Sequence, residues 1–426
     1  MEKKKPWNCW KDSEVSDWSD LSEQLKKLGV RLGKDQSPPA KSSKKTPIES
    51  LVPGHEINTM FGSVFSSNYQ LEFDHIHGSI PIAPFTKYSI LCEWANAPHL
   101  ADEDISDFIF IDTETTGLSG GTGTMPFMIG AGRFIDHQFV LEQFFLRNPA
   151  EEKAQLAALS SFVDGAKAIV SYNGKSFDLP IINTRYILNR LSNPFPEMEH
   201  VDLLHITRRV WKRRLRECKL GNIEREVLFF KRTGEDIPGY LVPEFYREYL
   251  VNGDGSQIAG IFYHNRIDVV SLSALFTWLA ALLEDPSDER ILHPQDLLSI
   301  GHLMERLDRE ELAERIYRSE LLDGLNQTDR INALISRARL LKRNGKISEA
   351  IPLWKEAVEI GSVEAAVELA MYYEHNLKDY PSAIKFTESA ISMLTNENSA
   401  NSASKIMHAL EHRKKRILEK SGKSVE

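Results

Sequence analysis

The sequence predicts an α/β domain followed by an all-helical region, and three features predict it. Three short β-rich apolar runs, Asp107–Ile111, Met125–Phe134 and Gln138–Leu146, follow one another with only turns between them. Helical patterns then alternate with one more buried strand, Ala168–Tyr172. Beyond Glu284-Asp285-Pro286-Ser287-Asp288, which breaks the helical pattern, the chain is helix-rich with small residues recurring at a near-fixed period.

Taken in order, residues 1–50 predict one short amphipathic helix, Trp7–Gly33, and a polar linker, Lys34–Glu49, too poor in apolar residues to bury a core. The α/β domain is expected over 51–285, with 51–104 as an N-terminal extension. Within the extension, Phe61–Phe65 and Tyr69–Phe73 alternate like two short strands. His75 and His77 flank Ile76; a structural or substrate-contacting role is the expectation, since no third metal ligand accompanies them. In the domain proper, helices are expected at Glu151–Val163, Leu179–Leu191, Asp202–Arg216 and Gly255–Leu283. Residues 286–426 form the third segment. On a 34-residue template, Gly301, Ala338 and Ala370 take a first small position, and Ala313, Ala350 and Ala383 a second. Ala357 and Ala390 take a third. Small residues at such places let paired helices approach closely, and stacked pairs offer a concave face to a protein partner.

The 426 residues are 42% hydrophobic and carry a net charge of −9. Neither a membrane-spanning run nor the apolar core of a signal peptide is read in the sequence. Cys9, Cys92 and Cys218 have no metal-ligand or disulfide spacing. Together these suggest a cytoplasmic protein and no membrane partner. The acidic balance hides a basic stretch. His205–Arg232 holds ten Lys and Arg against three Glu, with Arg208, Arg209, Lys212, Arg213, Arg214, Arg216 and Lys219 packed within a dozen positions. Two readings stand: a solvated helix face, or a patch contacting a phosphate backbone.

Four carboxylates in three motifs carry the chemistry. Asp112 and Glu114 end the strand Phe108-Ile109-Phe110-Ile111. Asp178 closes Asn173-Gly174-Lys175-Ser176-Phe177-Asp178, which follows a strand and opens a helix. Asp268 lies in Tyr263-His264-Asn265-Arg266-Ile267-Asp268. Residues at i and i+2 share one side of a strand, so Asp112 and Glu114 can meet one metal pair. Gathered together, four carboxylates repel one another, and hard divalent cations relieve that repulsion. Oxygen-only ligands suit two ions of Mg²⁺ or Mn²⁺, and two such ions can support phosphodiester hydrolysis. Asn173, Lys175 and Lys219 are candidate contacts to nucleic acid. Asp178 or Ser176 as a mere helix cap is the plainer alternative. Ser119–Thr124 is glycine-rich but lacks the Lys of a phosphate-binding loop.

The order Asp-x-Glu, Asp, Asp resembles the DEDD superfamily of 3′–5′ exonucleases, and the wording around it is closer to the YprB-like branch. That resemblance implies a ribonuclease H-like domain with a five-stranded mixed sheet flanked by helices, then tetratricopeptide-like repeats. It implies 3′–5′ exonuclease activity on single-stranded DNA or RNA, with Asp112, Glu114, Asp178 and Asp268 as metal ligands. A base that takes the proton of the attacking water is also expected. The spacing departs from the family pattern, placing His264 where relatives carry a Tyr, with Tyr263 beside it; His264, Tyr263 or neither acts as base. Asp202 either orients a neighbouring group or only caps its helix. The rival function is a non-catalytic nucleic-acid-binding or scaffold protein on the same fold.

Overall fold

The computed structural model describes residues 45–117, 121–233, 236–286, 290–291, 293–396 and 403–422. The expected helix Trp7–Gly33, residues 34–44 of the linker, and residues 119–120 of the glycine-rich turn lie outside them.

In chain order the strands are β1 (His55–Thr59), β2 (Gly62–Glu72), β3 (Ile76–His77), β4 (Ile80–Pro81), β5 (Phe108–Thr115), β6 (Pro126–Ile135), β7 (Gln138–Phe145), β8 (Ala168–Ser171) and β9 (Glu199–Asp202). The α/β part has helices α1 (Ser89–Trp94), α2 (Glu152–Val163), α3 (Asp178–Asn189), α4 (Leu203–Trp211), α5 (Leu220–Glu226), α6 (Val242–Asn252) and α7 (Ser256–Glu284). The helical region has α8 (Pro294–Arg306), α9 (Glu310–Tyr317), α10 (Gln327–Arg343), α11 (Ile347–Glu359), α12 (Val363–Tyr372), α13 (Tyr380–Asn396) and α14 (Ala403–Lys420).

Among the described residues, seven strands form one sheet in the order β1-β2-β7-β6-β5-β8-β9. Pairing is antiparallel from β1 to β5 and parallel from β5 through β8 to β9. The sheet is therefore mixed, but it has seven strands rather than five. The extension is the cause: β1 and β2 add to the β7 edge. The sequence suggested two short strands there, and the structure has one long strand, β2. Its middle is polar, which hid it. Ser66 and Asn68 satisfy their side chains across the pair, Ser66 on the Gln143 carbonyl (3.2 Å) and Asn68 on Glu142 (2.7 Å).

β5 is buried along nearly its whole length, and its alternation assigns each side chain to a face. Ile109 and Ile111 enter a core with Leu156, Leu159, Ile182 and Tyr186 of α2 and α3. Phe108 and Phe110 enter the opposite core, where Phe276 of α7 packs at 5.5 and 5.9 Å between ring centroids. By the same parity Asp112 and Glu114 face α7, and Thr113 faces α3.

α7 matches a membrane span in length and composition, with a window of mean hydropathy 1.7. That window is 83% buried, because the helix lies between the sheet and the helical region. Its apolarity thus reflects a core position on both sides.

All eight small residues anticipated in the helical region are buried: Gly301, Ala313, Ala338, Ala350, Ala357, Ala370, Ala383 and Ala390. A Cβ on Gly301 would stand 2.7 Å from the Tyr317 ring of α9, closer than carbon atoms pack. The break near Pro286 does not separate two loose bodies. α8 packs on α4, Arg214 forms an ion pair with Asp296 (2.8 Å), and Arg213 with Asp329. Leu297, Leu298, Leu303 and Met304 of α8 join the same core as α7.

Candidate active site

The carboxylates lie around the end of β5, Asp112, Glu114 and Asp268 toward α7 and Asp178 on α3. Asp112 pairs in register with Gly130 of β6, and that glycine makes room for α7. A Cβ there would collide with the side chain of Asn265. Asn265 is fully buried and donates to Asp112 Oδ2 (2.9 Å), while its own oxygen accepts from Gln143 Nε2 (2.9 Å). Gln143 also donates to the Phe262 carbonyl (2.9 Å), which fixes the amide plane. A relay of two neutral amides thus holds the first carboxylate.

Asp178 opens α3, on the other face of β5. The Thr113 hydroxyl, which the alternation turns to that face, donates to Asp178 Oδ1. The turn before it is shaped by Asp202. That carboxylate accepts from the Asn173 amide (2.8 Å), the Lys175 amide (3.1 Å) and the Leu204 amide (3.0 Å). It both caps α4 and holds the 173–175 turn, so the two readings of Asp202 are compatible. Asn173 takes a left-handed conformation at φ 70°, and Asn173 and Lys175 are exposed at the turn's surface.

Asp268 and His264 come from one face of α7, as their i, i+4 spacing requires. His264 Nε2 lies 3.4 Å from Asp268 Oδ2 and 4.0 Å from Glu114 Oε1. Its other nitrogen, Nδ1, is 2.6 Å from Asp236 and 2.9 Å from the Arg232 guanidinium; the shorter contact is to a carboxylate that can only accept, which favours a proton on Nδ1, and Nε2 faces the carboxylates. Tyr263 is turned elsewhere: its hydroxyl accepts from the Thr233 amide (2.9 Å). Asp268 is bound by Arg232, whose guanidinium also donates to Glu224 (2.6 and 2.7 Å). Glu224 accepts from Ser271 (2.7 Å), and Ser271 from His77 (2.8 Å), which stacks on Phe230 at 3.9 Å. His77 is therefore a buried structural histidine, held neutral mainly by burial, which pushes it down to about 3.

The electrostatics follow from this crowding. Burial, then the charges of Asp268, Asp178 and Glu114, hold Asp112 well above the usual carboxylate range. Burial foremost pushes Glu114 up to about 8, against the opposing pull of His264, and Asp178 up to about 6. For His264 burial opposes protonation, but Asp268, Glu114 and the Asp236 hydrogen bond outweigh it and raise it. Each carboxylate has found a neutral or cationic neighbour rather than a common point. Accordingly, among the described residues no three His, Cys, Asp or Glu side chains form a preassembled metal-binding group. The donor set nonetheless suits hard divalent cations. It is oxygen-only and largely withdrawn from solvent, and Asp112, Glu114 and Asp178 have raised proton affinities, through burial first and neighbouring carboxylate charge second, both of which a bound cation would offset.

Residues 109–280, from β5 to α7, match the family model described as the RNase H superfamily, and the match takes in Asp112, Glu114, Asp178 and Asp268. The chain is also 32% identical over 292 residues to the uncharacterized protein YprB of Bacillus subtilis (strain 168), covering 67% of this chain and 70% of that one. The chain belongs to the YprB family of the RNase H superfamily. Membership supports a nuclease-type, hydrolytic function.

In this YprB-family chain several residues that matter were not legible as motifs. Asn265 and Gln143 are neutral amides on separate elements. Arg232 and Asp236 lie in a loop, 36 and 28 residues from the Asp268 and His264 they bind. Gly130 and Gly132, two glycines inside one strand run, were the available signal for a helix lying close on the sheet. The basic stretch divides. Arg213 and Arg214 do not offer free charge to a substrate, because acidic residues of the helical region already pair with them. Lys212 donates to the Arg216 carbonyl, and Lys219 pairs with Glu217 (2.9 Å) while largely exposed. Arg208 and Arg209 have no carboxylate partner among the described residues and line a cleft with Trp94, His205 and His302.

Proposed function

We propose that this protein is a divalent-metal-dependent 3′–5′ exonuclease on single-stranded DNA or RNA. The observation that supports the proposal most is the placing of Asp112, Glu114, Asp178 and Asp268 around one end of β5, near enough to act on one another's charge, with His264 3.4 Å from Asp268 and 4.0 Å from Glu114. Asp112, Glu114, Asp178 and Asp268 would hold two ions of Mg²⁺ or Mn²⁺, which when bound supply Lewis acidity for phosphodiester hydrolysis.

The chain's own residues do the rest. His264 takes the proton of the attacking water at Nε2, and Asp236 stabilises the imidazolium through Nδ1–H. Neutralising Asp268 and Glu114 would lower the proton affinity of His264, making it a base near neutral pH. The Gln143–Asn265 relay fixes Asp112, and the Arg232–Glu224 pair fixes Asp268; such supports orient ligands that would otherwise swing. Asn173 and Lys175 stand at the rim, where a scissile phosphate would enter. The helical region, read as tetratricopeptide-like repeats over 286–426, would present its concave face to a protein partner.

The test is product analysis with single-stranded DNA and RNA oligomers labelled at either end. Stepwise shortening from the 3′ end, with mononucleotide release, is expected. Internal cuts would replace the exonuclease with an endonuclease, and binding without any cleavage would leave a non-catalytic nucleic-acid-binding protein.

A further inference from the structure

A cleft of about 720 Å³ lies where α4 meets α8, and its lining is basic and aromatic: Trp94, His205, Arg208, Arg209, Lys212 and His302 are among its walls. Among the described residues, none that lines it is acidic. The two arginines that could have been neutralised by the helical region, Arg213 and Arg214, are the ones that tie α4 to it. Arg208 and Arg209 remain without a carboxylate among the described residues. The Arg209 guanidinium lies 5.8 Å from the centre of the Trp94 ring. Burial, and then the charge of Arg306 from the end of α8, hold Arg209 below its usual value, as expected where cations gather without a counter-charge. His302, on the α8 wall, is pushed by burial down to about 4 and so stands neutral, within hydrogen-bonding distance of Ser336 (3.1 Å).

The cleft is linked to the active site along the chain, through Asp202 and the start of α4. Asp202, which holds the 173–175 turn, is the N-cap of α4. Arg208 is six residues further along, roughly 9 Å at the rise of an α-helix. Tyr172, directly before Asn173, donates to the Cys218 carbonyl (2.6 Å) and feels the charge of Arg208.

We infer that this cleft binds the phosphodiester backbone of a single strand leading into the catalytic carboxylates, with α4 and α8 as its two walls and Trp94 as a stacking surface for a base. Unpaired cations beside a partly exposed aromatic ring, here Trp94, are what a sequence-tolerant single-strand site requires. In a chain of net charge −9, a local basic cleft also focuses a polyanion that the rest of the surface repels. The helical region is then part of the nucleic-acid path, in addition to any protein it recruits. The inference rests on the nuclease reading for the identity of the polyanion.

The experiment is fluorescence anisotropy on full-length protein carrying Asp112→Asn, with labelled single-stranded DNA and RNA long enough to span both sites, over a salt series. The double change Arg208→Ala with Arg209→Ala should weaken binding about tenfold or more. It should also flatten the slope of log affinity against log salt by roughly 1.4, since each phosphate contact on a single strand contributes about 0.7. Arg209→Lys should keep the slope. Arg306→Glu, on the α8 side, should weaken binding as well, because its charge reaches Arg209. Unchanged affinity and slope in the double variant would overturn the inference, as would a poly-glutamate peptide binding the cleft while single strands do not. The two readings separate cleanly. Metal-dependent cleavage by the unmutated protein with no effect of the cleft variants removes the cleft and keeps the nuclease. Loss of binding in those variants without any cleavage by the unmutated protein keeps the cleft and removes the nuclease.

Discussion

Asp112 and Glu114 were legible because carboxylates are poor strand residues, so an apolar strand that ends in two of them needs a reason. Asp178 and Asp268 were legible through their surroundings. Their supports were not. A neutral amide such as Asn265 carries no motif, and the pairing of Asp236 with His264 is made by a loop whose fold sequence spacing does not encode. The supports make sharp predictions. His264→Ala should lower turnover by roughly 10²–10⁴-fold, the usual range for a general base, and remove the limb of the pH–rate profile near neutrality. Tyr263→Phe should be mild, because its hydroxyl serves the Thr233 amide rather than the carboxylates. The opposite ranking in steady-state kinetics would move the base to the tyrosine. Asn265→Ala should weaken divalent-ion affinity by about 10–100-fold, the range for residues that orient a ligand, as read by calorimetric titration. An unchanged affinity would show that Asp112 needs no such support.

At the scale of elements, β5 and the meander β5–β6–β7 follow from short apolar runs, and the helical region follows from its recurring small residues. The reason is the same in both: burial imposes a local period that a single sequence displays. The continuity of β2 escaped because its buried polar residues are satisfied from distant segments, Ser66 by Gln143 and Ser67 by the Pro53 carbonyl, a non-local arrangement without a period. The joining of α14 to α12 is another non-local case. Glu374, just beyond α12, is 2% exposed and receives Arg413 (3.1 Å), Arg416 (2.9 Å) and Lys420 (2.8 Å) of α14. Burial alone would raise this carboxyl, but the hydrogen bonds of Arg416 and Lys420 and the charge of Arg416 bring it down to about 2. Its folded value lies below its unfolded one. Its contribution is therefore complete above the ordinary glutamate range and is lost as pH falls through about 2. Glu374→Gln should destabilise the C-terminal helices by roughly 1.5–3 kcal/mol at neutral pH, the worth of hydrogen bonds to charged groups. Chemical denaturation at pH 7 and near pH 2 checks this, and an equal effect at both would contradict it.

For the whole molecule, the break at Pro286 reads in the sequence as a domain boundary, and every proposed ligand precedes it. The packing modifies what that boundary means. Leu297, Leu298, Leu303 and Met304 share a core with Leu275, Leu279 and Leu282 of α7, the helix that carries Asp268. A chain ending at Asp285 should therefore melt well below the full chain or aggregate, as circular dichroism and light scattering would show. A truncated chain as stable as the whole would mean that α8 only decorates α7. The central claim is that four mutually repelling carboxylates form a metal-dependent nuclease centre. Its most direct test is cleavage of a single-stranded oligomer by the full chain in Mg²⁺ or Mn²⁺ and in EDTA, beside the Asp112→Asn and Asp178→Asn variants. Both variants should be inactive, yet melt no lower than the unmutated protein when metal-free, because each removes a charge from a crowded site. Cleavage that persists in EDTA, or metal-dependent cleavage that survives in either variant, would contradict the account.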